Sequence, residues 1–264
     1  MGTKHVLVIG DLHAGSLYAP WPPGLYRTDS DPPTQINVNP TQEQLNRCWE
    51  HLVSHVPRLD HLVLNGDIID GENPAEGGRF IVSPSEFDQA EGALALLAPL
   101  AKKAKNVHIV RGTPYHEGRA YEALCWISKQ LGASLPTTEL ILDVNGRTIH
   151  FSHHQTRGWI YPSGGAERTV LFSLALQALG RIPRVDVIVR SHLHILRVIH
   201  AYGRWAVMTP AWKIVTPYAE RRMEAFRAGL YSDIGAVLIS VSGGGAINID
   251  AESFVYRAET DTAG

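Results

Sequence analysis

Five short clusters of Asp and His residues occur along this chain, each at the end of an apolar, β-branched run. Strands that end along one edge of a sheet bring the turns after them together, so the pattern indicates a metal site on such an edge. Imidazoles mixed with carboxylates favour Mn, Fe, Zn or Ni over Mg or Ca, which prefer shells made of oxygen alone. The clusters are Gly10–His13, Gly66–Asp70, Arg111–Glu117, His153–His154 and Ser191–His194.

The runs before these clusters predict an α/β fold. His5–Ile9 is continuously apolar, which is typical of a strand buried on both faces, and segments with helical periodicity separate it from similar runs. Strands that alternate with helices indicate a sheet containing parallel strands. The other predicted strands are His61–Leu64, Val107–Val110 and Val185–Val189, and the predicted helices are Thr41–Val56 with Thr41 as its cap, Ser85–Leu100, Arg119–Leu131 and Ala166–Leu179.

The second half of the chain predicts a further sheet that is richer in hairpins. Asn145-Gly146, a strong hairpin signal, separates two apolar segments, and Gly203 lies between two more. Late strands are expected on both sides of the turn at residues 242–245. The paired segments are Leu140–Val144 with Thr148–Ser152, Leu196–Tyr202 with Trp205–Met208, and Ile234–Val241 with Ala246–Tyr256.

Length and composition favour one globular domain. The chain has 264 residues, 44% of them hydrophobic, and a formal charge of −2 that gives no overall reason to bind nucleic acid or a membrane. We expect a single domain over residues 1–258 and a frayed tail at 259–264. The long segments 16–40 and 155–165 each follow a His cluster, and we expect them to overhang the site.

Cysteine usage and the lack of a signal or membrane segment predict a cytoplasmic location. Cys48 and Cys125 each lie in a helix-like apolar stretch, which fits reduced core residues better than a disulfide framework. No apolar run approaches the roughly 18 residues of a membrane span, and no charged segment with an apolar stretch opens the chain.

The spacing of residues within the clusters would allow two side chains to bind the same cation. Asp11 and His13 are two residues apart on the turn after the first strand, so both can reach one ion. Asp67 repeats this position after the next strand, and its two oxygens could bridge two cations. Asp70 could instead orient a histidine, as carboxylates behind metal ligands commonly do.

The chain contains five motifs in a fixed order, namely GDLH, GDIID, a Gly-x-x-x-His-Glu element, a strand-terminal His and SHLH. This series resembles the motifs of the calcineurin-like metallophosphoesterase superfamily. The resemblance covers Lys4–His194 and, with the closing strands, most of the domain. It implies a four-layer α/β/β/α sandwich with two mixed sheets and a dinuclear metal centre. It also implies hydrolysis of phosphate monoesters or diesters, with a metal-bridging hydroxide as the nucleophile. Arg111-Gly112-Thr113, the doubled His and Pro210-Ala211-Trp212 are similar to a phage and prophage-associated branch.

The resemblance assigns ligands for two divalent transition metal ions, manganese first, with iron, zinc or nickel as other candidates. Both ions would share bridging Asp67. The first would also be held by Asp11, His13 and His194, and the second by His153 and His192.

The third cluster departs from the family pattern. Thr113 stands where the family has an Asn ligand, and two residues intervene before His116. Either Thr113 or a water replaces the amide oxygen, or the loop is rebuilt so that His116 itself approaches a metal. We favour His116 as the proton donor, oriented by Asp70, because the family pairs its catalytic His with this Asp.

The cleft has further candidate residues. The family usually has His-Gly where this chain has His153-His154, so His153 aligns with the ligand and His154 would lie beside the substrate. Arg157 and Tyr115 are additional candidates for contacts with the substrate.

Two alternative functions stay open from the sequence. Basic residues interleaved with aromatic ones between Trp212 and Arg227 would suit a nuclease or a nucleic-acid end-processing enzyme, although such a run is more often a solvated helix face. The change from Asn to Thr at position 113 would suit a catalytically weak scaffold with the same fold. The residues of the run are Trp212, Lys213, Tyr218, Arg221, Arg222 and Arg227.

Overall fold

A computed structural model describes residues 2–118, 121–154, 162–216 and 232–254. Within them the chain forms two five-stranded mixed sheets. The strands are β1 (Lys4–Ile9), β2 (Tyr26–Arg27), β3 (Thr34–Gln35), β4 (Leu59–Asn65), β5 (Ala104–Val110), β6 (Glu139–Val144), β7 (Arg147–Ser152), β8 (Val187–Arg190), β9 (Arg197–Ala201), β10 (Arg204–Met208), β11 (Ile234–Val241) and β12 (Ile247–Phe254). The helices are α1 (Pro40–His55), α2 (Glu86–Ala101), α3 (Pro114–Glu117), α4 (Glu122–Leu131) and α5 (Pro162–Ala178).

Each sheet contains three neighbouring parallel strands. The first sheet has the order β12-β11-β1-β4-β5, in which β1, β4 and β5 are parallel. The second has the order β6-β7-β8-β10-β9, in which β7, β8 and β10 are parallel. Their remaining neighbours are antiparallel. Because β1, β4, β5, β7 and β8 each precede one of the five clusters, the carboxyl ends of these strands set the position of the site.

Three hydrophobic cores separate four layers. The sheets pack face to face through residues such as Val8, Val63 and Phe151. Helices α1, α2 and α4 cover the outer face of the first sheet, and α5 covers β8 and β10 of the second through Val170 and Ile188. Full burial of an aliphatic side chain of this size contributes about 1.5–3 kcal/mol. The predicted α/β/β/α sandwich is therefore confirmed.

The N-terminal cap of α2 agrees with the sequence prediction, and that of α1 does not. Ser85 caps α2 and accepts the N–H of Asp88, as predicted. The cap of α1 is Asn39 rather than Thr41, because the Asn39 amide oxygen accepts the N–H of Gln42 while the Gln42 side chain accepts that of Asn39. Pro40 then occupies the first helical position, where its missing N–H costs nothing.

The segment 16–40 is fixed mainly on the helices beside the first sheet. Trp21 is fully buried against Gly92 of α2, and its backbone exchanges two hydrogen bonds with the Asn46 side chain of α1. Closer to the site, the N–H of Ile214 donates to the carbonyl of Tyr18. That the segment overhangs the site stays a prediction. The segment 155–161 and the tail 259–264 lie outside the described residues.

Two further observations bear on sequence predictions. Cys48 and Cys125 are both free, half-buried thiols. Among the described residues, no helix is long and apolar enough to span a bilayer.

Candidate metal centre

The turns after β1 and β4 are joined to each other by backbone hydrogen bonds. The N–H groups of Asp11, His13 and Ala14 donate to carbonyls of residues 66–68, and the N–H of Asp70 donates back to Ala14. This pairing continues the parallel ladder past the strand ends. As a result, two clusters separated by more than 50 residues form one edge of the site.

The turns have an unusual backbone conformation. Nine non-glycine residues among those described have φ in the left-handed region, and five of these are predicted metal ligands. Left-handed backbone costs an ordinary residue on the order of 1 kcal/mol and persists where the surrounding structure enforces it, commonly at functional sites. The five are Asp11 (φ 50°), His13 (49°), Asp67 (49°), His192 (77°) and His194 (58°).

Close backbone approach explains two glycines in the motifs. A Cβ on Gly112 would lie 2.1 Å from the Asp67 nitrogen, and a Cβ on Gly66 would lie 2.4 Å from His153 Nδ1. Gly66 also has φ of +84°. Any side chain at these positions would therefore push the third cluster or the His153 ring away from Asp67.

One ligand group brings together residues from the turns that follow β1 and β8. The ligand atoms of Asp11, His13 and His194 all lie within 4.8 Å of one another. His13 Nε2 is 3.2 Å from His194 Nε2, which is 3.4 Å from Asp11 Oδ1. Atoms bound to one cation at about 2.1 Å lie roughly 3.0–3.5 Å apart, so this spacing suits a transition metal.

A second group consists of Asp67, His153 and His192, also within 4.8 Å. Asp67 Oδ2 is 3.2 Å from His153 Nε2. His153 Nδ1 donates to the carbonyl of Asn65 at 2.8 Å, which turns Nε2 towards the carboxylates. Asp11 Oδ1 and His153 Nε2 are two of seven buried side-chain atoms of the described residues that have no hydrogen bond of acceptable geometry, and a cation would serve both of them.

Electrostatics support these groups as ligands. Burial, with the charges of His116 and Lys213, lowers the pKa of His13 to about 3, so its imidazole is neutral at pH 7. Burial and the neighbouring His153 lower the pKa of His192. Burial raises the pKa of Asp67, but the positive charge of His153 outweighs it and holds that pKa well below the usual range. Neutral imidazoles and ionised carboxylates are the forms that bind metal.

His153 differs from the other histidines and provides a test of the site. Burial alone would lower its pKa, but Asp67 and Asp11 outweigh burial and raise it to about 10. Metal-free protein at pH 7 therefore carries a proton here that a cation must displace. Below pH 10, each lower pH unit should weaken cation binding at this group about tenfold.

Calorimetric titration of chelator-treated protein with Mn²⁺, in buffers of different ionisation enthalpy, measures that proton. We expect His153→Asn, which offers an amide oxygen in place of the ring, to release one proton fewer than the original chain at pH 7. Any proton that comes from water is common to both titrations. Equal release by the two proteins would contradict this account of His153.

The third cluster contacts both groups. Thr113 donates its N–H (2.6 Å) and its hydroxyl (2.9 Å) to Asp67 Oδ1, which leaves Oδ2 towards His153. His116 Nδ1 donates to the carbonyl of Asp70 at 2.7 Å, so Nε2 is its free ring nitrogen. His116 also forms a ligand group with His13 and Asp67, which keeps open the alternative that it approaches a metal itself.

Asp70 contacts more than the histidine that the family pattern assigns to it. Its Oδ1 lies 3.5 Å from His116 Nδ1, but it accepts closer hydrogen bonds from His13 Nδ1 (2.9 Å) and Lys213 Nζ (2.6 Å). The carboxylate therefore orients a predicted ligand, while its own backbone carbonyl orients His116. Burial raises the pKa of Asp70, but Lys213 and His13 outweigh it and hold that pKa below the usual range.

Two candidate substrate contacts, His154 and Tyr115, lie at the rim of the site, where the ligand groups meet the surface. His154 is exposed and packs near His153 and His192, and the ligand group contains His153 rather than His154. Tyr115 is 41% exposed, but its hydroxyl donates to Asn73 and accepts the N–H of Ala75, so it holds the rim in place. Arg157 lies outside the described residues.

Two residues of the site were given no role by sequence. Glu117 is buried and accepts the N–H groups of Ile68 and Gly112, which ties the second cluster to the third. Burial and the charge of Asp67 raise the pKa of Glu117 to about 8, against the effect of those two donors. The His-Glu pair in the motif was a signal for this residue. The second residue is Lys213, and its place in a basic stretch was the one feature of the sequence that drew attention to it.

The comparisons with known proteins agree with this class of site. The model of the calcineurin-like phosphoesterase family matches residues 4–112, which carry the first two clusters and the start of the third. The predicted resemblance to this family is therefore confirmed over residues 4–112, and the described residues include His and Asp groups that could hold a divalent metal. The search among curated proteins found no match.

The solved structures to which the chain is similar are distant from it in sequence. A single mutant of Vps29 from Entamoeba histolytica is 14% identical, with a TM-score of 0.47, over 96% of this chain and 100% of that one. An archaeal phosphodiesterase is 8% identical, with a TM-score of 0.46, over 94% and 100%. A predicted phosphoesterase from Streptococcus pneumoniae TIGR4 is 11% identical, with a TM-score of 0.40, over 96% and 99%.

Proposed function

We propose that this chain is a dinuclear-metal-dependent hydrolase of phosphate esters. The observation that carries the proposal is a pair of neighbouring ligand groups, each with two buried members and one histidine nearer the surface, in which Asp11 Oδ1 lies 3.4 Å from His194 Nε2 and 3.9 Å from His153 Nε2. Asp11, His13 and His194 would hold one divalent cation, and His153 with His192 the other. Asp67 would be shared between them. Manganese is the proposed metal.

Two divalent cations held here would polarise the phosphoryl oxygens, activate a water for attack and stabilise charge on the leaving oxygen. The chain's own residues set up that chemistry. Thr113 fixes one oxygen of Asp67, so the other is presented to the cations. Asp70 fixes His13 through its carboxylate and His116 through its carbonyl.

His116 is the proposed proton donor to the leaving oxygen. Because its Nδ1 is bound to the Asp70 carbonyl, the proton that it transfers is the one on Nε2. A side chain that donates a proton in the transition state contributes roughly a hundredfold to ten-thousandfold. His154, Arg157 and Tyr115 are the proposed substrate contacts.

The nuclease alternative loses two of its residues. Trp212 is fully buried and Lys213 is buried against Asp70, so neither can lie along a phosphate backbone. The other residues of the basic stretch lie outside the described part of the chain.

A combined metal and substrate test decides between these functions. Purified protein, treated with chelator and titrated with Mn²⁺, should bind two ions per chain and then hydrolyse aryl phosphate monoesters or diesters. Turnover of oligonucleotides alone would favour the nuclease. Fewer than one ion per chain, with no turnover on any substrate, would contradict the proposal and favour the scaffold.

A further inference from the structure

Lys213 is a buried cation beside the proposed metal centre. Only 8% of this residue is exposed, although lysine is almost never buried unless it is paired. Its Nζ donates to Asp70 Oδ1 at 2.6 Å, across 143 positions of sequence. Two ring nitrogens, from His13 and His116, lie at 2.9 and 3.5 Å from the same oxygen.

The backbone around Lys213 is fixed to the site. The N–H of Trp212 donates to the carbonyl of Asp11 at 2.9 Å, and the N–H of Ile214 donates to the carbonyl of Tyr18 at 3.0 Å. The turn that carries the first cluster therefore also places the lysine, so Lys213 approaches Asp70 from a supported position. Such support is what a positioning group requires.

Asp70 accepts hydrogen bonds from several donors at once. Its Oδ1 accepts from Lys213 and His13, its Oδ2 accepts from Asn73 at 3.3 Å, and its carbonyl accepts from His116. Two donors on one oxygen fix the torsion of the carboxylate. Without the ammonium, Oδ1 would keep His13 as its one close donor, and the buried carboxylate would lose its closest positive charge.

We propose that Lys213 is a positioning residue that fixes the carboxylate of Asp70, which holds the ligand His13 at 2.9 Å and lies 3.5 Å from Nδ1 of the proton donor His116. The inference rests on the proposed function and extends it to a residue from the far half of the chain. Loss of a group that orients a metal ligand typically weakens metal binding 10- to 100-fold.

The test uses Lys213→Met, which keeps most of the side-chain length, and Lys213→Arg, which keeps the charge. Lys103→Met is the matched control, because Lys103 donates to the carbonyls of Val53 and Val56 at the opposite end of β5. Calorimetric titration of chelator-treated protein with Mn²⁺ should show a 10- to 100-fold weaker first site for Lys213→Met. The arginine and control variants should stay within about threefold of the original chain.

A double variant keeps the test valid if Lys213→Met alone fails to fold. Lys213→Met with Asp70→Asn removes both charges and leaves no buried ion uncompensated, so it should fold if the single variant does not. If Lys213 acts through Asp70, the double variant should bind Mn²⁺ as Asp70→Asn does alone. A further tenfold loss, or a single variant that folds and binds as tightly as the original chain, would overturn the proposal.

Activity provides a separate measurement. Lys213→Met should slow esters with poor leaving groups more than activated aryl esters, because a carboxylate of Asp70 that is free to turn no longer keeps its negative charge beside His116 Nδ1. Equal slowing of both substrates would contradict the link to His116. If the original chain hydrolyses neither, the proposed function fails, while the Mn²⁺ titration still decides the role of Lys213.

Discussion

Replacing Asp67 by Asn should lower turnover by more than a thousandfold and leave fewer than two cations per chain. The carboxylate has one oxygen held by the N–H and hydroxyl of Thr113 and the other 3.2 Å from His153. An amide has a single acceptor oxygen. If that oxygen stays with Thr113, the amide NH₂ points at the cations, which it cannot bind.

Asp60→Asn is the matched control, because Asp60 accepts from His5 and Lys105 at the other end of β4. Metal content by elemental analysis and turnover on an activated aryl ester should stay at the original level in this control. A folded Asp67→Asn protein with two cations and full turnover would refute the shared-carboxylate centre.

Much of this site could be predicted because the order of parallel strands fixes where their carboxyl ends lie. The apolar runs predicted β1, β4 and β5, which are parallel neighbours in the first sheet, and the carboxyl ends of parallel strands share one edge of a sheet. Asp11, His13 and Asp67 follow those ends directly. Their approach to one another therefore required no knowledge of distant contacts.

The remaining features depend on contacts that local sequence does not encode. Thr113 and His116 are three positions apart, and the short helix α3 places them one turn from each other, so the threonine faces Asp67 while the histidine reaches Asp70. Lys213 reaches Asp70 only because the two sheets pack together. The choice of Asn39 over Thr41 as a helix cap was local, but it depended on reciprocal bonding with Gln42.

Tertiary contacts also determine which nitrogen each histidine presents. Two neighbouring histidines in the sequence, His153 and His154, have opposite environments, since the first is buried against Asn65 and the second is exposed. Strand alternation places successive residues on opposite faces, but it does not say which face meets the site. The burial pattern supplies that information.

Replacing His116 by Ala should slow esters with poor leaving groups by about a hundredfold to ten-thousandfold and activated aryl esters far less. A good leaving group departs without a proton, so the ratio of the two rates isolates the proton that His116 supplies. Cation content should stay at two per chain, because the ligand groups proposed here do not include His116.

Tyr115→Phe is the matched control for disturbance of α3, since it removes only the hydroxyl that contacts Asn73 and Ala75. It should change both rates by a similar factor, because a substrate contact or a support of α3 affects both esters alike and supplies no proton to the leaving oxygen. Equal slowing of both esters by His116→Ala would contradict its role as proton donor. Loss of a cation from that variant would instead assign His116 to the metal, as its ligand group with His13 and Asp67 allows.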